Sequence, residues 1–276
     1  MSASLAAAAV PARQVSAAVE LIAAGKVFET PAGTVPALRD VSFTAAVGEF
    51  VCVVGPSGCG KSTLLNLICG LARPSAGRIR IYGEIADGVQ PERIGYVFQR
   101  DALLPWKTAL ENVMLPLVLR GVPAARARER ATVWVQKVGL GGFEQHYPSQ
   151  LSGGMRKRVA LAMTMVYRPP IILMDEPFGA LDVQTRNLME NELLALWAET
   201  GSTILFVTHD LEEAIALGDR IVVMTAAPGR VKAIYPVPLP RPRDVTEIRL
   251  SMEFMEIYRR IWGDLREEVM SAHARA

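Results

Sequence analysis

The chain predicts an α/β fold built on a largely parallel sheet with crossover helices, and three observations carry that expectation. Continuous apolar runs stand at Phe50–Val54 (FVCVV), at residues 171–174 (IILM) and at residues 203–207 (TILFV), without the alternation of a strand that is half solvated. A fourth run, residues 221–224 (IVVM), follows a helix-like segment. Finally, FVCVV runs straight into a glycine-rich turn, and residues 62–71 then show helical character. Strand, glycine turn and helix in that order are the context of a phosphate-binding loop.

The rest of the chain arranges itself around that unit. Residues 1–18 are alanine-rich and lack a basic stretch ahead of their short apolar run, so they read as a disordered tail rather than a secretory signal. The main domain spans residues 19–235, and residues 99–165 within it are mostly helical, with a charged stretch at 124–130 and turns at 139–142. This reads as an inserted helical subdomain. Pro236, Pro238, Pro240 and Pro242 disfavour helix and central strand, so residues 236–276 are expected to be an extended connector followed by an amphipathic helix over 248–269. No internal repeat is visible, which leaves one phosphate-binding unit.

Composition excludes some functions. Lys+Arg 30 against Asp+Glu 28 is too balanced to favour nucleic acid as a partner. Half the residues are hydrophobic, yet no apolar run approaches the ~18 to 20 residues of a membrane-spanning helix. The three cysteines, Cys52, Cys59 and Cys69, are odd in number, crowd around the glycine-rich turn and lack metal-ligand spacing. They suit free thiols in a reducing, cytoplasmic compartment.

The chemistry concentrates in a few strings. Gly55-Pro56-Ser57-Gly58-Cys59-Gly60-Lys61-Ser62-Thr63 fits G-x-x-x-x-G-K-[ST], whose backbone N–H groups cradle phosphate. Lys61 offers an ammonium to β/γ-phosphate oxygens and Ser62 a hydroxyl to Mg²⁺, so the chain is expected to bind a nucleoside triphosphate. Asp175 ends an apolar strand, where a carboxylate is costly unless it holds a metal. Glu176 follows and, on an extended backbone, points to the opposite side; the other reading is a carboxylate pair capping the turn before Pro177. His209, directly after TILFVT, can hydrogen-bond a phosphate oxygen. Arg156-Lys157-Arg158 fans over several helix faces and reads as a solvated or interface-facing run rather than a nucleic-acid patch.

The phosphate loop, Gln99, LSGGM at residues 151–155, ILMDEP at 172–177, FGALD at 178–182 and VTHD at 207–210 resemble, in this order, an ATP-binding cassette (ABC) ATPase. The likeness covers residues 19–235. Residues 97–113 (VFQRDALLPWKTALENV), 174–186 (MDEPFGALDVQTR) and 224–230 (MTAAPGR) are similar to the nitrate/sulfonate/taurine importer family. The resemblance implies a P-loop NTPase core with a parallel or mixed sheet, an N-terminal antiparallel β subdomain and an inserted helical subdomain, using ATP and Mg²⁺. It makes Glu176 the general base, Asp175 the metal partner, and Gln99 a contact to Mg²⁺ or water that joins core to helical subdomain. Lys61 and His209 complete the catalytic set. Phe28 is implied to stack on adenine, although a core phenylalanine would look the same.

LSGGM raises a geometric question, since a serine and two glycines before a helix make a second anion site beside a single phosphate loop. The resemblance resolves it with a head-to-tail homodimer. Ser152, Gly153 and Gly154 of one subunit close over ATP on the other, and Asp182 crosses the interface. Met155 stands where glutamine is commoner. Leu103-Leu104-Pro105-Trp106 either docks a short helix of a membrane partner through Trp106 or forms a buried turn. The implied function is ATP-driven import of a small anion such as nitrate, a sulfonate or taurine. It runs through transmembrane permease subunits, with cargo captured by a separate periplasmic or extracellular binding protein, from the cytoplasmic face of the bacterial inner membrane. Three other readings are a soluble ABC ATPase acting on nucleic acid or ribosomes, a nucleotide-gated module with negligible hydrolysis, and an ABC subunit of a different importer or exporter. The absence of a second cassette or long coiled coil opposes the first, and intact Glu176 and His209 oppose the second.

Overall fold

The computed structural model describes residues 17–31 and 33–273. The expected tail over 1–18 therefore lies almost wholly outside the described residues, and Ala17 and Ala18 already belong to the first strand. Two sheets form the molecule. Strands β1 (Ala17–Thr30), β2 (Gly33–Ala46), β4 (Ala76–Ile81) and β5 (Glu84–Ile85) make an antiparallel sheet in the order β2-β1-β4-β5. Strands β3 (Phe50–Val54), β6 (Ile94–Val97), β7 (Ile171–Asp175), β8 (Thr203–Thr208), β9 (Arg220–Met224) and β10 (Val231–Pro236) make the second, ordered β10-β9-β3-β8-β7-β6. It is parallel except where β10 turns back antiparallel against β9.

Every residue of β3, β7 and β8 is buried, which explains their uninterrupted apolar sequences. The two faces of these strands feed two cores. Phe50, Cys52 and Val54 join Ile172, Met174 and Phe206 in one; Val51 and Val53 join Ile171, Leu173 and the inward residues of β1 and β2 in the other. Helix α1 (Lys61–Ile68) packs into the second core. The first takes the helices that lie between β6 and β7, namely α2 (Ala109–Leu119), α3 (Ala124–Lys137) and α4 (Gly153–Met165). It also takes α5 (Val183–Thr200) and α6 (Leu211–Leu217). The three cysteines are buried free thiols.

The segment after β10 is not a loose connector. The buried Arg243 donates to the carbonyls of Gly218, Ala216 and Ile215 at the end of α6 and to those of Val237, Leu239 and Pro240, which straps residues 237–243 to the core. The helix expected over 248–269 is α8 (Met252–His273), and a short helix, α7 (Val245–Ile248), precedes it. Ser251 separates them by accepting the N–H of Phe254 and so starting α8 afresh. Phe254, Ile261 and Leu265 bury the inner stripe of α8.

Candidate functional site

The carboxyl ends of β3, β7 and β8 lie side by side and bring three predicted elements together. Such strand ends are where open parallel sheets place their ligand sites. From β3 the chain enters the phosphate loop, with Gly58 and Gly60 at positive φ (75° and 99°). At Gly60 a Cβ would stand 2.7 Å from Leu38 Cδ2 and 2.9 Å from the Ala37 carbonyl, so only glycine fits. Gly60 starts α1 without any side-chain cap, whereas Ser152, Asp182 and Asp210 cap α4, α5 and α6. The amino end of α1 thus keeps its donors for an anion. Lys61 is buried and folds over its own loop, donating to the Gly55 carbonyl at 2.8 Å and the Pro56 carbonyl at 3.1 Å.

Asp175, the last residue of β7, shares a hydrogen bond with Ser62 and stands 3.5 Å from the Tyr96 hydroxyl. Burial pushes its carboxyl above the usual range, with the Ser62 hydrogen bond opposing that and Glu176 adding to it. A buried carboxylate beside a serine hydroxyl is a hard-oxygen pair, the donor chemistry Mg²⁺ prefers. Ser62 and Asp175 therefore fit the metal that the sequence predicts.

The expected separation of Asp175 and Glu176 by strand alternation is corrected. Glu176 lies in the left-handed region at φ 42°, so β7 has ended, while its N–H still donates to the Val207 carbonyl at 2.9 Å. That turn swings its carboxylate to the end of β8, where Oε2 sits 3.0 Å from His209 Nδ1. The Glu176–His209 pair, 33 residues apart in sequence, had no signature in spacing. A Cβ at Gly179 would lie 3.8 Å from both side chains, so the turn after Pro177 passes beside the pair.

Of the Arg156-Lys157-Arg158 run, read as solvated or interface-facing, Lys157 is the exception, while Arg156 and Arg158 stay half-buried in ion pairs. Lys157 is buried, donates to the Gln99 carbonyl at 2.6 Å and pairs with Asp101 at 3.0 Å. Arg156 pairs with the same Asp101 at 3.1 Å, and Arg158 with Glu192 at 2.8 Å. The Gln99 loop is thus tied by charge to the first turns of α4. Asp101 and Lys157 were invisible to sequence reading because their partner lies 56 positions away, beyond any helical or strand periodicity.

Ser152 caps α4 by accepting the Met155 N–H at 3.2 Å, and Gly153 and Gly154 form its first turn. At Gly154 a Cβ would meet Thr185 Cγ2 at 2.9 Å, so this glycine lets α4 approach α5. Met155 packs against the core. Among the described residues, no hydrogen bond or ion pair joins Ser152, Gly153 or Gly154 to the phosphate loop, Asp175, Glu176 or His209. Gly153 lines instead a cleft of about 470 Å³ together with Gln99, Asp101, Ala180 and Leu181. Asp182 is exposed at the head of α5, where it accepts the Thr185 N–H at 3.0 Å, and these backbone bonds hold its carboxyl below the usual range.

Phe28 is not a core residue. It is 41 % exposed on β1, opposite Val35 and two pairs along from Leu38, which touches the phosphate loop at Gly60; the Lys26 ammonium lies 5.1 Å from its ring centre. Trp106 is 69 % exposed, which overturns the buried-turn alternative. Its turn is held from behind by the fully buried Asn112, whose side chain accepts the Leu104 N–H at 2.8 Å and donates to the carbonyls of Lys107 and Thr108. Sequence reasoning missed Asn112, for which a polar residue within an apolar helix face was the available signal.

Comparison with known proteins agrees with this geometry. Residues 38–179 match the ABC transporter family. A taurine import ATP-binding protein of Pelagibacter ubique is 44 % identical over 252 residues, covering 88 % of this chain and 94 % of the relative. A bicarbonate transport ATP-binding protein of Synechococcus elongatus is 42 % identical over 235 residues, 84 % of each chain. A dimeric ATP-binding cassette solved in a post-hydrolysis state with ADP and Pi superposes with a TM-score of 0.73 at 35 % identity, over 80 % of this chain and all of that one. The chain belongs to the ABC transporter family, as an ATP-binding subunit of its nitrate/sulfonate/taurine group, and is an ATPase that uses ATP and Mg²⁺.

Proposed function

We propose that this chain is the ATP-hydrolysing subunit of an importer for a small oxyanion or sulfonate, working as a head-to-tail homodimer on transmembrane permease subunits. The observation that carries the reading is the divided site. Phosphate loop, Asp175 and the Glu176–His209 pair converge at the strand ends, while the capping serine and two glycines of α4 make no hydrogen bond to them in the same chain. A second copy supplies the missing half, with Ser152, Gly153 and Gly154 meeting the phosphates from across the interface and Asp182 beside it.

The residues then divide the work. Lys61 leaves the carbonyls of Gly55 and Pro56 to meet phosphate oxygens, and the amino end of α1 adds its dipoles. Ser62 and Asp175, with Gln99, would hold Mg²⁺, which would supply positive charge to the phosphate oxygens. Glu176 takes a proton from the attacking water, and His209 fixes that carboxylate through Nδ1. Phe28 offers the exposed ring for the base. The relatives are named for taurine and bicarbonate, which share a compact oxyanion group, and nitrate and aliphatic sulfonates fit the same description. Exposed Trp106, on a turn anchored by Asn112 and next to the Gln99 loop, suits docking of a permease helix. No described helix is long and apolar enough to cross a membrane; the proposed permease partners would hold the chain at the cytoplasmic face.

Glu176→Gln tests the assignment. The amide oxygen still accepts from His209, so the geometry survives while the base is lost. Turnover should fall by roughly 10² to 10⁴, with the affinity for ATP unchanged and an ATP-dependent dimer retained. Phosphate release at the parental rate refutes the role of Glu176.

A further inference from the structure

We infer that α8 extends the subunit interface by offering a pocket for Val183 of a second copy, a contact that rests on the homodimer reading above. The pocket holds about 490 Å³ and lies between α8 and the phosphate loop. Trp262, Leu265 and Val269 form its apolar wall, and Pro56, Ser57 and His209 form its other side. It is therefore continuous with the face on which nucleotide and partner must meet. Trp262 stacks on Tyr258 at 6.0 Å and stays 40 % exposed, which leaves apolar ring surface open for a partner.

The occupant follows from the other side of the same interface. Val183 is the first residue of α5, directly after Asp182, and is 66 % exposed. Its position is set by the Asp182 cap, which fixes the start of α5. The chain thus presents an apolar knob on the segment that crosses to the partner and an apolar hole beside the phosphate loop that the partner covers. Two-fold symmetry pairs each knob with the other subunit's hole, so a single closure seats both knobs together. The pocket also borders His209, so the knob would cover that side of the imidazole.

The test uses the full chain in the Glu176→Gln background and reads the ATP-dependent dimer by light scattering and native mass spectrometry. Val183→Ser and Trp262→Ala, both at exposed positions, should each raise the dimer dissociation constant about a hundredfold, about tenfold for each of two contacts. ATP binding to the single subunit should not change. The decisive arm is a mixture of the two variants, distinguished by mass. Its heterodimer keeps one intact knob and hole and loses the other contact once, so it should form about tenfold more tightly than either variant with itself. Parental dimerisation by both variants, or a mixture no tighter than its components, overturns the inference. A Glu176→Gln parent that stays monomeric with ATP overturns instead the dimer reading on which it rests.

Discussion

Glu213 should make this protein less stable as the solution turns alkaline. It lies on α6, four residues beyond His209, with 4 % of its surface exposed and its Oε1 without a hydrogen-bond partner. Burial pushes its carboxyl up to about 8; a hydrogen bond from Thr208 opposes the shift, Glu190 and Asp210 add to it, and Arg186 offsets them. A carboxyl raised on folding stabilises the native state fully below its unfolded value of 4.5, and that stability is lost as pH rises through about 8. Between pH 6 and pH 8 the unfolded chain has released this proton and the native one largely has not. At about 1.4 kcal/mol per pH unit the loss over that interval is about 2 kcal/mol. Glu213→Gln keeps the bond to Thr208 and removes the titration. Urea unfolding of both proteins at pH 6, 7 and 8 should show the variant gaining about 2 kcal/mol on the parent across the series. Glu190, pushed up to about 7 by burial, slopes the same way in both proteins, so only their difference is diagnostic. Parallel stability lines for parent and variant would refute the argument.

Two other perturbations follow from the same kind of burial. Arg243→Met leaves the carbonyls at the end of α6 and along residues 237–239 without a donor, and should cost about 3 kcal/mol, read as a fall in melting temperature of about 6 to 12 °C. Lys157→Met removes the donor to Gln99 and one of two cations on Asp101; because none of these groups touches the phosphate loop, kcat should fall about tenfold with the dissociation constant for ATP unchanged. Weakened ATP binding at unchanged kcat would count against that coupling.

Legibility in the sequence tracked how local each signal was. The phosphate loop was readable because its glycines, lysine and serine act through adjacent backbone groups, and β3, β7 and β8 because burial on both faces writes an apolar run. The long β1 and β2 were hidden by register shifts and by Ala23 and Asp40 at positive φ, which break alternation. The Gln99–Lys157–Asp101 cluster, the Asn112 anchor behind Trp106 and the strap formed by Arg243 join distant segments, where no periodicity operates.

Glu176 shows why the last step of such a reading fails at the site itself. Strand alternation would have carried its carboxylate away from Asp175 to the far face of the sheet, into a core of apolar side chains. The left-handed turn costs on the order of 1 to 3 kcal/mol for a residue with a Cβ. It is held by the bond from Glu176 N–H to the Val207 carbonyl, one residue pair past the end of β7, and by the contact with His209. The strain therefore sits on the proposed base and is supported by the strand that ends at His209. Local propensity disfavours that conformation, and only the fold around it makes it available, so chemistry and backbone departure fall on the same residue.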